Sequence, residues 1–299
     1  MSQPLGINLS FCVKRWVTPE LWAPIVRDRL GVKLVQFSFD LVDPMWPDDV
    51  LSRLARRLRA VPDDYGIEIH SAFIGLAHYT FNQLLHPDPD IRNYAEAWLG
   101  RAYRFAAEAG IRRVGGPLGA IASRPDGQEA EDLPEAEYAQ LVTRMRRLAQ
   151  AAAGAGLEGL YVEPTPLRRE RPWTIGQARR MMRDVADTPV RWQLCVDWGH
   201  ATFEPLYGRY RASMEDWLSG LRDDIGAVHI QQTDFQYDRH WDFTETGGVD
   251  PAAAAAMLRS LVPDDLPVFL EVFYPFERGD RSVLDAVTRT MAILDGAFR

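Results

Sequence analysis

The chain alternates between two periodicities, and this alternation limits the folds open to it more than any other feature. Short apolar runs rich in Val, Ile and Phe are each followed by a longer stretch of helical spacing, eight times over. The spacing predicts strands over residues 5–10, 33–39, 66–73, 113–118, 157–163, 191–197, 227–231 and 267–273. Helices are expected over 19–30, 47–58, 88–110, 133–154, 174–186, 213–221, 250–261 and 281–298. Thr18 before Pro19, and Asp250 before Pro251, read as helix caps followed by a first-turn proline. Strand–helix alternation implies parallel strands joined by right-handed crossovers. Eight such units close a barrel, whereas a doubly wound open sheet usually has five or six. The expected fold is therefore α/β, a single (β/α)8 TIM barrel. The 299 residues, 46% of them hydrophobic, suffice for one core of that size. No linker or composition break divides them, so one domain over 1–299 is expected. Three long loops, over 120–132, 204–212 and 233–249, follow strands four, six and seven. They lie on the C-terminal face, where barrel active sites sit.

Four consecutive strands carry a polar residue at or near that face. Strand five ends in Glu163, and strand six in Asp197, followed by Trp-Gly-His. Strand seven carries His229 and strand eight Glu271. Their spacings of 34, 32 and 42 residues are each about one barrel unit, so the four should converge at the barrel mouth. An unpaired carboxylate on a buried strand is costly and requires a compensating charge. One such acid is readily explained by an Arg partner or a helix cap; four consecutive strands ending in a polar residue are not. Three carboxylates and one imidazole suit a divalent metal of intermediate hardness, manganese, magnesium or cobalt, and exclude a thiolate-rich zinc site.

The Glu, Asp, His, Glu order on strands five to eight, and the Asp-x-x-His formed by Asp197 and His200, resemble the xylose-isomerase-like barrel superfamily. That group includes sugar isomerases, ketose 3-epimerases and apurinic endonucleases. Val13-Lys14-Arg15-Trp16, Gln36-Phe37-Ser38-Phe39-Asp40, Gly115-Gly116-Pro117-Leu118-Gly119 and His229-Ile230-Gln231-Gln232-Thr233-Asp234 are similar to its erythrulose-phosphate epimerase branch. The resemblance implies one divalent metal, manganese first, on Glu163, Asp197, His229 and Glu271. It implies a ketose or ketose-phosphate 3-epimerase or isomerase acting through an enediolate, with Glu163 and Glu271 also carrying protons on the two faces of the reacting carbon. His200 would contact terminal oxygens or a phosphate of the substrate.

Further substrate contacts are expected from Lys14 and Arg15 just past strand one, His70 on strand three, and Gln231, Asp238, Arg239 and His240 on and after strand seven. Each also has a plain structural use: solvated cations at 14 and 15, a core histidine at 70, a loop-stabilising residue at 240. Asp238-Arg239-His240 resembles the additional metal ligands of apurinic endonucleases, with His70, His78 and His86 as further histidines. A three-metal endonuclease therefore stays open, as do a metal-dependent lyase and a ligand-binding barrel with a vestigial site. Against the endonuclease stand a formal charge of −8 and a chain whose only lysines are Lys14 and Lys33. The expected partner is a small sugar or sugar phosphate, with no nucleic acid, no membrane, and homodimerisation left open. Cys12 and Cys195 are too few for a disulfide scaffold, no secretion signal opens the chain, and no apolar run reaches about 18 residues. A cytoplasmic setting is expected.

Overall fold

The computed structural model describes residues 3–127, 132–204 and 213–299. Eight parallel strands close into a barrel in chain order: β1 Leu5–Asn8, β2 Leu34–Ser38, β3 Glu68–Phe73, β4 Arg113–Gly116, β5 Gly159–Val162, β6 Arg191–Asp197, β7 Ile225–Ile230 and β8 Val268–Leu270. β8 pairs with β1 through Leu5–Val268, Gly6–Phe269 and Ile7–Leu270, which seals the sheet and leaves no edge. The outer helices are α1 Pro19–Pro24, α2 Asp48–Arg59, α3 Pro89–Glu108, α4 Glu135–Ala155, α5 Ile175–Asp184, α6 Met214–Gly220, α7 Pro251–Leu261 and α8 Asp280–Phe298. α2 shows how they seat: Leu51, Ala55 and Leu58, at helical spacing, are its buried face. Among the described residues, no helix is long and apolar enough to cross a membrane.

The departures from expectation lie at element ends. β1 stops at Asn8, where the chain turns into a 3-10 helix over Leu9–Cys12 whose Ser10 amide donates to Asn8 Oδ1. The first helix is α-helical only to Pro24 and continues as a π-helix over Ile25–Leu30. Pro24 has no N–H to continue the α ladder. Thr18 occupies the cap position, but its side chain makes no capping bond. Asp250 does cap α7, accepting from the amides of Ala252 and Ala253. β8 has three residues, so Glu271 stands just beyond its end. Parts of two expected loops, 128–131 and 205–212, lie outside the described residues.

Inside the barrel, Phe73, Tyr161, Cys195, Ala227 and Phe269 form an inner cluster distinct from the core between sheet and helices. Two of its three large rings, Tyr161 and Phe269, need small neighbours. A Cβ on Gly115 would stand 2.2 Å from the Tyr161 Cβ, and one on Gly6 would stand 2.9 Å from the Phe269 ring. The Gly115-Gly116 pair thus serves close strand packing. This plug closes the lower barrel and leaves the C-terminal mouth as the place where polar side chains meet.

Candidate metal centre and active site

The four strand-end residues converge. Glu163, Asp197, His229 and Glu271 each present a ligand atom, all within 4.8 Å of one another, and all four are buried. His229 is their hub. Its Nδ1 lies 3.0 Å from Glu163 Oε1, 2.9 Å from Glu271 Oε2 and 4.0 Å from Asp197 Oδ2. Its Nε2 donates to Gln36 Oε1 at 2.7 Å. Gln36 Oε1 also accepts from Asn8 Nδ2 at 2.7 Å, and Gln36 Nε2 donates to Ser71 Oγ at 3.1 Å, which sets the amide's orientation. The imidazole therefore shows one defined nitrogen, Nδ1, to the carboxylates. A histidine ligand held by its other ring N–H is the usual arrangement around a protein-bound metal. Asn8 also donates to Glu271 Oε1 at 2.9 Å.

Asp197 tests the fit. Its Oδ1 accepts from the His200 amide at 2.9 Å and from Gln231 Nε2 at 2.8 Å, whereas its Oδ2 is buried without any hydrogen-bond partner. A buried carboxylate oxygen left unsatisfied is costly in a protein-only environment; a divalent cation held by Asp197, the two glutamates and His229 would satisfy it. Burial holds the Glu163 carboxyl above its ordinary range, and His229 only partly offsets that. Burial acts the same way on Glu271, but His229 and His240 outweigh it and hold this carboxyl below its usual range. For His229, Cys195 and the carboxylates of Glu271 and Glu163 around the ring overcome burial and raise its proton affinity well above normal.

A second group abuts the first. His200 Nδ1 donates to the Pro164 carbonyl at 3.1 Å, and its Nε2 lies 3.1 Å from Asp238 Oδ2. His240 Nε2 lies 3.1 Å from Asp238 Oδ1, which also accepts from Gln231 Nε2 at 3.1 Å. The His240 amide donates to Gln231 Oε1. His240 adopts φ 46°, a left-handed backbone that places its ring beside Phe273 at 4.9 Å. Burial would depress the His240 imidazole, but Asp238 and Glu271 push it up to about 9. Glu163, His200, Asp238, His240 and Glu271 share one pocket, whose apolar wall includes Ile74, Leu76, Pro117 and Phe273.

The other expected residues lie elsewhere. Arg15 donates to the carbonyls of Pro275 at 2.8 Å and Arg278 at 3.0 Å and pairs with Asp280 at 3.2 Å, so its guanidinium ties the turn after β1 to the loop after β8. Lys14 is exposed, with its Nζ over the Phe276 ring. Neither lines the pocket. Arg239 is paired with Asp234 and stacked on Tyr237 and Trp241. His70 faces the opposite end of the barrel. The β2–β3 register pairs Val35 with Ile69 and Gln36 with Ser71, so His70 is the extra residue of a β-bulge. Its ring lies beside Tyr161 and Phe269, and burial lowers its pKa to about 4. His78 stacks on Trp98 at 3.8 Å, and His86 Nδ1 accepts from the Asp88 amide. None of these three early histidines joins the quartet, which removes the structural basis of a three-metal site built on them. Cys195 is buried, its thiol pushed up to about 11 by burial.

Asn8, Gln36 and Ser71 were not anticipated. The signal that marked the late strands, a polar residue within an apolar run, was present for Gln36, which is fully buried. Tyr79 and Thr165, which also line the pocket, carried no such mark.

A family profile described as "Xylose isomerase-like TIM barrel" matches residues 28–289. A crystal structure of the Rhodospirillum rubrum protein named "Putative Xylose isomerase" is 38% identical, covers 99% of each chain and superposes with a TM-score of 0.92. D-erythrulose 1-phosphate 3-epimerase of Brucella abortus is 22% identical over 308 residues, covering 98% of this chain and 95% of its own. D-psicose 3-epimerase of Clostridium cellulolyticum, solved with D-tagatose, shares the fold at a TM-score of 0.72, with 16% identity over 99% of this chain and 98% of its own.

Proposed function

The chain belongs to the xylose isomerase-like TIM-barrel family, and from that premise and the geometry of its barrel mouth we propose that it is a divalent-metal-dependent ketose 3-epimerase working through an enediolate. The observation that carries this reading is the meeting of Glu163 and Glu271, from β5 and β8, at one imidazole nitrogen beside an unsatisfied Asp197 oxygen. Glu163, Asp197, His229 and Glu271 would hold the metal, and the oxygen-rich donor set favours manganese, with magnesium or cobalt as substitutes. The ion supplies Lewis acidity that makes the C–H beside the substrate carbonyl acidic. The names of the Brucella and Clostridium relatives support a 3-epimerase over the other chemistries of the family. Erythrulose phosphate as substrate rests on the resemblance of four sequence motifs to that branch and on the Brucella name. The lining of the pocket includes no Lys or Arg among the described residues, so the reading adopted is the ketose class.

The chain's own residues then divide the work. Epimerisation requires a proton to leave one face of the reacting carbon and another to arrive on the opposite face. Glu163 and Glu271 approach from strands three places apart and supply one carboxylate each. Asn8 fixes Glu271 by its bond to Oε1. His200, Asp238 and His240 line the same pocket and present polar groups to the substrate's hydroxyls. The apolar wall limits water around the carbanion-like intermediate.

The test uses Glu163→Gln and Glu271→Gln, assayed with excess manganese on ketoses from tetrose to hexose. Each variant is expected to lose about 10²–10⁴-fold in kcat, and wild-type turnover in heavy water should place deuterium on C3. Turnover without exchange, by variants that remain active, would overturn the two-base scheme and point to a hydride shift.

A further inference from the structure

A second cavity, of about 420 Å³, opens between α3 and the loops that follow β2 and β3. That volume is in the range of small-molecule sites. Four rings, Phe39, Phe81, Tyr94 and Trp98, supply its walls, and the His78 imidazole stacks on Trp98 at 3.8 Å. Two of the rings are left in water: Phe81 is 59% exposed and Tyr94 50%. A ligand with an apolar body would cover them and gain by it. The one-turn helix Leu76–Tyr79 divides this cavity from the metal pocket. Ala77 and His78 line the one, Leu76 and Tyr79 line the other, and the two have no lining residue in common.

The charge of the lining has one sign. Asp43 is the only acidic or basic side chain there besides His78 among the described residues. His78 stays neutral, because burial lowers its pKa to about 4 against the pull of Asp43. Asp43 Oδ1 accepts from Trp98 Nε1 at 3.2 Å and from the Met45 amide at 2.9 Å, which fixes the carboxylate beside the indole. Among the described residues its Oδ2 takes no hydrogen bond and no Arg or Lys pairs with it. Arg101, three residues beyond Trp98, is committed to the carbonyls of Pro44 at 2.6 Å and Trp46 at 2.8 Å and to Asp48 at 2.7 Å. Gln83, 1% exposed, donates from Nε2 to the His78 carbonyl at 3.3 Å and leaves its Oε1 without a partner. The unspent oxygens of the lining are therefore acceptors set among aromatic rings. A cation is attracted both to the carboxylate and to the negative faces of the rings. An anion would meet Asp43 with no cation to offset it, and a neutral ligand would gain apolar contact alone.

We propose that this cavity is a second ligand site, built for a small organic cation: an amine whose aromatic body lies among Phe81, Tyr94 and Trp98 and whose ammonium group meets Asp43. The site stands apart from the ketose-epimerase reading and is tested without any sugar. Manganese-loaded protein is titrated by calorimetry with three molecules of similar size and different charge: phenethylammonium, 2-phenylethanol and phenylacetate. Phenethylammonium should bind about tenfold more tightly than the alcohol, and phenylacetate should bind most weakly. Asp43→Asn keeps the Oδ1 acceptor for Trp98 and removes the charge. It should bring the ammonium down to the affinity of the alcohol and leave the alcohol as in wild type. Phe81→Ala changes an exposed ring that the fold does not need, and should weaken the ammonium and the alcohol alike. No saturable binding of phenethylammonium, equal affinity for the three molecules, a preference for the ammonium that survives Asp43→Asn, or affinities untouched by Phe81→Ala would each overturn the site.

Discussion

Gln36 stands fully buried on β2, where an aliphatic side chain would add core packing. It serves instead to receive the His229 Nε2–H and turn Nδ1 toward the carboxylates. Gln36→Leu keeps most of the volume and removes that acceptor. We expect metal affinity to fall by about 10–100-fold, measured by competition with a chelating dye; unchanged affinity would show that packing alone orients the ring. Asp197→Ala is the sharper change, because it deletes the orphaned Oδ2. Elemental analysis of the purified variant should show a metal content far below that of wild type, and full retention would disprove the ligand assignment.

At the scale of elements, the polar residues past each strand end work as ties between neighbouring loops. Arg15 joins the turn after β1 to the loop after β8. Asp40 reaches from the end of β2 to the helix Leu76–Tyr79 beyond β3. Both are expressed in backbone bonds that a helix or strand does not supply for itself. Asp40→Ala frees two amides of a one-turn helix and is expected to cost about 1 kcal/mol in urea denaturation. Because Tyr79 ends that helix, KM should rise more than kcat falls. A stability loss without a KM change would separate Asp40 from the pocket.

For the whole molecule, the quartet draws on four strands spanning half of the barrel circumference, β5 through β8. An ion bound there links elements whose sequence separation exceeds a hundred residues, and it binds the folded chain alone. Manganese at about 100 times its dissociation constant should add about 2.7 kcal/mol, visible as a rise of a few degrees in Tm that a chelator reverses. Asp197→Ala should lose most of that rise. Absence of any shift with manganese, magnesium and cobalt would contradict a folded-state metal site.

The barrel and the quartet were legible in the chain because both follow from periodicity. Eight alternations count the units, a parallel crossover brings every strand back in the same direction, and polar residues spaced by about one unit must then meet on one face. Glu163, Asp197, His229 and Glu271 needed nothing more. Depth and long-range pairing were not legible. Strand periodicity assigns a side of the sheet but not a height along the barrel, and one extra residue in the β2–β3 register set His70 at the lower end while aligning Ser71 with Gln36. Arg15 and Lys14 lie past a strand end as expected, yet the carbonyls and carboxylate that engage Arg15 come from about 260 residues away. Tyr79 and Thr165 reach the pocket from two loops with no shared pattern. Such contacts form only once barrel closure has placed the loops side by side, so tertiary structure alone decided them.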